Sequence, residues 1–223
     1  MENVIRIKRA LPQYTRGEEL FNMISHIVGG ALAIAVLCSS VVLAAIRGDA
    51  FSVVGCSIYG FSMVALYTVS SLYHGLREGL AKRVFRVIDH CTIYFLIAGT
   101  YTPILLSAKR RYSPALAWTI FGIEWGLTAV AATLTAIDLH KFRAFSMVCY
   151  ICMGWCIIVA VKPTIAALTM NGFLWVLSGG IAYTVGAVAY GVGKKIKYIH
   201  SVFHILVVIG SILQFIGIIG FAI

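Results

Sequence analysis

Residues 21–46 read FNMISHIVGGALAIAVLCSSVVLAAI, a run without Asp, Glu, Lys or Arg. About 20 consecutive apolar residues suffice for a helix to cross the hydrocarbon core of a bilayer, so this run predicts a transmembrane helix. It is too long for a cleaved secretory signal and is preceded by Glu18 and Glu19, so it is expected to stay in the protein. Outward from it the same reading repeats. Arg47-Gly48-Asp49 separates it from a second span, Phe51 to Leu76. A third, Val84 to Ala108, and a fourth, Pro114 to Ile137, flank the basic break Lys109-Arg110-Arg111. A fifth runs from Phe142 to Val161 and ends before Lys162-Pro163; a sixth spans Met170 to Val192, and a seventh Ile199 to Ile223.

The composition agrees: 61% of residues are hydrophobic and 12% charged, which excludes an ordinary soluble domain. The expected fold is all-α, an integral membrane bundle of seven transmembrane helices that occupies residues 1–223 as a single domain with short connections. Lys and Arg gather on the cytoplasmic side of short loops. Arg6, Lys8, Arg9, Arg16, Arg77, Lys82, Arg83, Arg86, Lys141, Arg143, Lys194, Lys195 and Lys197 fall on the side of the N terminus, and Arg47, Lys109, Arg110, Arg111 and Lys162 on the other. The N terminus is therefore expected in the cytoplasm and the C terminus outside, with Lys109 to Arg111 as a local exception. The net charge of +10 then faces anionic lipid, at about 1 kcal/mol per residue near the surface, rather than nucleic acid. The expected location is the cell membrane, inner or plasma, crossed many times. The expected partners are membrane lipids, and no oligomeric state is read from the chain.

Polar residues inside such spans cost about 2.5–3.5 kcal/mol each at the helix centre, so a group of them at one depth points to use in common. Four patterns fall toward the same end of the spans: Glu19-x-x-Asn22-x-x-x-His26, Ser70-x-x-x-His74, Asp89-His90 and His200-x-x-x-His204. At 1.5 Å per residue His74 lies roughly 5 Å inward of Arg77, Asp89 roughly 5 Å inward of Arg86 and His204 roughly 10 Å inward of Lys197. Residues four apart share a helix face, as Ser70 and His74 do, and His200 and His204. If helices one, two, three and seven adjoin, three imidazoles from two helices can bind tetrahedral zinc and leave a fourth position for water, which Asp89 can hydrogen-bond. His90 and His140 read as interfacial side chains rather than ligands. Glu19 and Asn22 read equally as caps of the first helix or, with His26, as residues supporting the ligands. The six cysteines carry no zinc spacing and read as packing residues. Glu124, mid-span, reads either as a neutralised acid or as part of a proton or lipid path.

The chain resembles the hemolysin III family, the bacterial branch of the group that includes the adiponectin and progestin receptors. The resemblance rests on Glu18 to His26 (EELFNMISH), Ser70 to His74 (SSLYH), Asp89-His90 leading into Ala98 to Pro103 (AGTYTP), and His200 to His204 (HSVFH). It implies seven helices with the N terminus inside and a zinc ion near the cytoplasmic face held by His74, His200 and His204. It further implies that Asp89 contacts the zinc-bound water, with Ser70 close by. Phe203 stands where many bacterial relatives have Trp, and Glu124 belongs to no motif of the family. The long cytosolic N-terminal region of the hormone receptors has no counterpart here, so hormone binding is not expected.

The function expected is that of a zinc-dependent hydrolase of a lipid amide or ester, with Asp89 taking the proton of the attacking water and Ser70 helping to hold an oxygen. A receptor-like regulator of membrane lipids with a structural zinc is the second reading. A pore-forming cytolysin is the third, disfavoured because the outer halves of the spans carry almost no polar lining.

Overall fold

The computed structural model describes residues 11–192 and 196–223; Arg6, Lys8, Arg9, Lys194 and Lys195 of the charge count lie outside them. Among the described residues the regular structure is helical. We label the long elements α1 (Arg16–Arg47), α2 (Ala50–Gly75), α3 (Leu80–Ile104), α4 (Pro114–Ile137), α5 (Arg143–Gly154), α6 (Val161–Val192) and α7 (Ile199–Phe221). Among the described residues six helical stretches are long and apolar enough to cross a membrane, α5 and α6 falling in one 49-residue stretch.

The helices are polar or small inside and apolar outside, as a bilayer requires. On α1 the buried stripe is Asn22, His26, Gly29, Ala33, Val36, Ser40 and Ala44, whereas Ile24, Ile27, Val28 and Ile34 are exposed. Small residues on the inner stripe let helix backbones approach, which matters because lipid tails remove the hydrophobic drive for helix association. Gly60 of α2 shows the tolerance: a Cβ there would lie 2.6 Å from Leu37 Cα.

The helix starts follow from local chemistry. Thr15 caps α1, its hydroxyl accepting from the Glu18 N–H while the Glu18 carboxylate accepts from the Thr15 N–H. Asp49 caps α2 by accepting from the Ser52 N–H at 2.9 Å, and Pro114 opens α4.

Two expected breaks move. Lys109 to Arg111 is not a loop: α3 continues through a π-helical turn, Leu105–Lys109, and a last turn, Arg110–Tyr112, before the chain breaks at Ser113. Its cations are engaged. Lys109 is 2% exposed and donates to Thr164 Oγ1 at 2.5 Å, Arg110 pairs with Asp49, and Arg111 donates to Ser52 Oγ at 3.3 Å. Lys162-Pro163 is likewise helical, because a proline in a first helical turn gives up an N–H that has no helical partner anyway.

The 49-residue stretch is instead interrupted by a 3₁₀ turn, Cys156–Ala160, and at Thr169, whose φ of 65° and ψ of 167° are non-helical and strained for a β-branched residue. Trp155 Nε1 donates to Thr184 Oγ1 at 3.0 Å. A continuous helix would set residues 155 and 184 about 43 Å apart, so the stretch folds back on itself. Its second arm lies antiparallel to α7, with Gly172 against Phe221, Gly179 against Gln214 and Gly186 against Phe203.

The helices α1 and α7 are joined in parallel. Tyr198 N donates to Glu18 Oε1 at 2.8 Å, Ser201 Oγ to Asn22 Oδ1 at 2.7 Å, and the rings of His26 and His204 lie 3.8 Å apart. This ladder brings the polar ends of α1, α2, α3 and α7 together.

Candidate metal centre

Three histidines converge at that end. One nitrogen from each of His74, His200 and His204 lies within 4.8 Å of the others. The Nε2 atoms of His200 and His204 are 3.2 Å apart, and zinc–nitrogen distances of about 2.0–2.1 Å in a tetrahedron put neighbouring ligands about 3.3 Å apart. The buried His74 Nε2 has no hydrogen-bond partner. A cation accepting these lone pairs satisfies them together, so the residues present fit a zinc ion.

The other nitrogen of His74 is already committed. Its Nδ1 lies 2.6 Å from Glu19 Oε2, and the second oxygen of Glu19 lies 2.8 Å from Lys82 Nζ. A carboxylate on the far nitrogen fixes the ring and makes the free nitrogen a better donor. Lys82 also donates to Leu76 O at 3.0 Å and lies over the Tyr73 ring. The cap of α1 is therefore Thr15 with Glu18, while Glu19 faces His74 and Asn22 faces Ser201. His26 is 2% exposed, with both ring nitrogens unpartnered, and packs against His204 and Tyr67 without joining the group of three.

Asp89 and Ser70 line an elongated cavity of about 140 Å³ together with His26, His200 and His204. The Ser70 hydroxyl is directed at the Asp89 carboxylate. From His200 the cavity reaches Gln214, about 21 Å along α7. Leu66, Ile93, Leu96 and Val207 make its middle apolar. His90 also lines the cavity, but both its nitrogens are engaged, Nδ1 donating to Arg86 O at 2.8 Å and Nε2 lying 3.1 Å from the Tyr190 hydroxyl, and His140 lies beside Arg86. Glu124 is buried on α4 against Cys156, outside this site.

Two participants escape a reading of motifs. Lys82 counts in the sequence only as a basic loop residue, yet it is 4% exposed. Tyr14, before α1, stacks on His200 with ring centroids 4.9 Å apart and planes 10° from parallel. Burial holds its phenol above the ordinary value, so it stays protonated at neutral pH. Its preference for the site is not written in any spacing, since no periodicity extends to a non-helical segment.

Fold and site together define a class: a multi-pass helical protein of the cell membrane with a histidine cluster at one end of its bundle. Residues 14–215 match the family described as Haemolysin-III related, and the chain belongs to that family. It is 39% identical over 198 residues to "Hemolysin-3" of Bacillus cereus, covering 89% of each chain. It is 38% identical over 202 residues to "Hemolysin-3 homolog" of Bacillus subtilis (strain 168), covering 91% of this chain and 93% of the other. A more distant relative is the human "Monocyte to macrophage differentiation factor", 26% identical over 188 residues, 79% of this chain and 74% of that protein.

Proposed function

We propose that this protein is a zinc-dependent hydrolase of lipid amides or esters that works at the cytoplasmic face of the membrane. The observation that carries the reading is the histidine group at the head of a long, largely apolar cavity, with Asp89 and Ser70 on its wall. An acyl chain fits the apolar part, and its carbonyl then lies among the polar groups. Zinc, when bound by His74, His200 and His204, supplies the Lewis acidity that activates a carbonyl and a water. Asp89 accepts the proton of the attacking water and passes it to the leaving amine or alcohol. Ser70 gives its one O–H to the Asp89 carboxylate and so orients it, and Glu19 with Lys82 holds His74 in place.

The topology proposed with it is seven crossings, N terminus inside and C terminus outside. The parallel ladder between α1 and α7 supports an odd number of crossings, and the fold-back at Thr169 supplies the extra one.

The test is Asp89→Asn, which keeps the shape and weakens the base. An enzyme keeps its zinc and loses fatty-acid release by roughly 10²–10⁴-fold on a panel of lipid amides and esters. Equal hydrolysis at equal zinc, or no hydrolysis by the unaltered protein, removes the mechanism. The second reading, a regulator in which zinc staples α2 to α7, then takes its place, because the three histidines come from those two helices. The pore-forming reading rests on the names of two relatives alone.

A further inference from the structure

Among the described residues, the far end of the cavity carries one polar group without a protein partner. Six polar side chains line it, and five have partners in the protein. Thr100 donates to Leu96 O. Tyr101 donates to Gly154 O and accepts from Ile157 N. Trp155 donates to Thr184, which in turn donates to Gly180 O. The Tyr183 hydroxyl lies 2.7 Å from Ser211 Oγ. Gln214 is the exception: the residue is 9% exposed, and its buried Oε1 has no partner.

The neighbouring helix is shaped around this amide. Across from it stands Gly179, where a Cβ would meet Gln214 Cγ at 2.3 Å. An unpaired amide oxygen in an apolar setting costs about 1–3 kcal/mol, and a packed glutamine facing a cavity recovers that cost when the occupant brings a donor. The position of the donor follows from the helix. Gln214 lies ten residues beyond His204 on α7, about 15 Å. Single carbon–carbon bonds of ~1.5 Å advance an extended alkyl chain by roughly 1.3 Å per carbon, so 15 Å corresponds to about twelve carbons.

We propose that Gln214 is a specificity subsite that selects acyl chains bearing a hydroxyl near the middle of the chain, about twelve carbons from the carbonyl. The inference rests on the acyl-lipid reading of the cavity given above and adds the substrate class to it. The chain carbonyl sits by the histidines, the first stretch of methylenes runs past Leu66, Leu96 and Val207, and the hydroxyl donates to Gln214. A plain chain of the same length reaches the same place and leaves the amide unpaired, which is how the site discriminates against it.

The test is equilibrium binding to the purified full chain in detergent, with stearate, 2-hydroxystearate and 12-hydroxystearate as probes. The 12-hydroxy acid is expected to bind roughly tenfold more tightly than stearate, the worth of one net hydrogen bond, and the 2-hydroxy acid is not expected to share the gain. Gln214→Leu is expected to remove the preference, with zinc content and the thermal transition checked alongside. Equal binding of all three acids to the unaltered protein overturns the proposal, as does binding of none, or a preference that survives in Gln214→Leu. Should that variant fail to fold, the comparison of hydroxyl positions in the unaltered protein decides alone. The two readings fail separately: position-selective binding without turnover keeps the subsite and removes the hydrolase, whereas hydrolysis of plain lipids with no hydroxyl preference does the reverse.

Discussion

His74 is the histidine whose two nitrogens have the most distinct roles, one bound to Glu19 and the other free. Replacing Glu19 by Gln keeps a hydrogen-bonding group but removes the charge that makes the ring a strong donor and that holds Lys82. Zinc affinity is expected to fall about 10–100-fold, measured by competition with a chelator. His204→Ala is expected to remove most of the metal and lower the thermal transition, while His140→Ala keeps the metal. Full zinc in His204→Ala would show the ligand set to be different. Asp49, in the turn between α1 and α2, offers a pH test away from the site. The Ser52 N–H, then the Ser52 hydroxyl and Arg110, hold its carboxyl below the usual range against some desolvation. A depressed carboxyl contributes stability above its unfolded value, about 4, and loses it as pH falls through the folded value. Asp49→Asn keeps the cap, so its stability should approach that of the unaltered protein in acid and fall behind above pH ~4. The difference is small because the Asp49 side chain is 40% exposed. A gap that widens toward acid pH would contradict this.

At the scale of elements, close helix contact is the stabilising device. Gly60→Ala pushes a methyl group onto the backbone of α1 at Leu37 and is expected to cost about 1–3 kcal/mol, read as a lower thermal transition in detergent. Gly126→Ala on α4 meets nothing within 4 Å and is expected to leave the transition unchanged. Equal effects would mean that helix propensity, not packing, governs these sites. Span limits were legible because a bilayer imposes a length that hydropathy shows directly, and α1, α2 and α4 start and stop within a few residues of the expected limits. The breaks at Lys109–Arg111 and Lys162-Pro163 were misread because a basic triplet and a proline signal a boundary only when nothing packs against them. Here Thr164 takes up Lys109, Asp49 takes up Arg110, and Pro163 stands in a first turn. Thr169 carries no turn signature, so its interruption is a tertiary outcome.

For the whole molecule the prediction concerns which way the bundle faces. In the topology proposed above the C terminus is outside, so a reporter fused after Ile223 should be active only beyond the cytoplasm, and one inserted at 193–197 only within it. Cytoplasmic activity at the C terminus would reverse the site to the other face. The meeting of His74, His200 and His204 was legible in sequence as shared depth and shared helix face. The partners that steady them were not: Tyr14 precedes α1, where periodicity is silent, and Lys82 in the first turn of α3 reads as one more basic residue at a helix end until Glu19 is packed against it.

That packing also sets a timetable for biosynthesis. The chain is made from its N terminus, so α1 enters the membrane carrying Asn22 and His26, and α2 follows carrying His74, long before the ribosome has made Ser201 and His204. Until α7 arrives, α2 covers part of α1, with Tyr67 against His26 and His74 against Glu19, but Asn22 lacks Ser201 and His26 lacks His204, and polar groups left without partners in lipid are costly. Helix α7, made long after α1, thus completes the shelter that α2 begins, and a nascent chain stalled before residue 199 would present to the cell's quality control an unfinished protein marked by its own histidines.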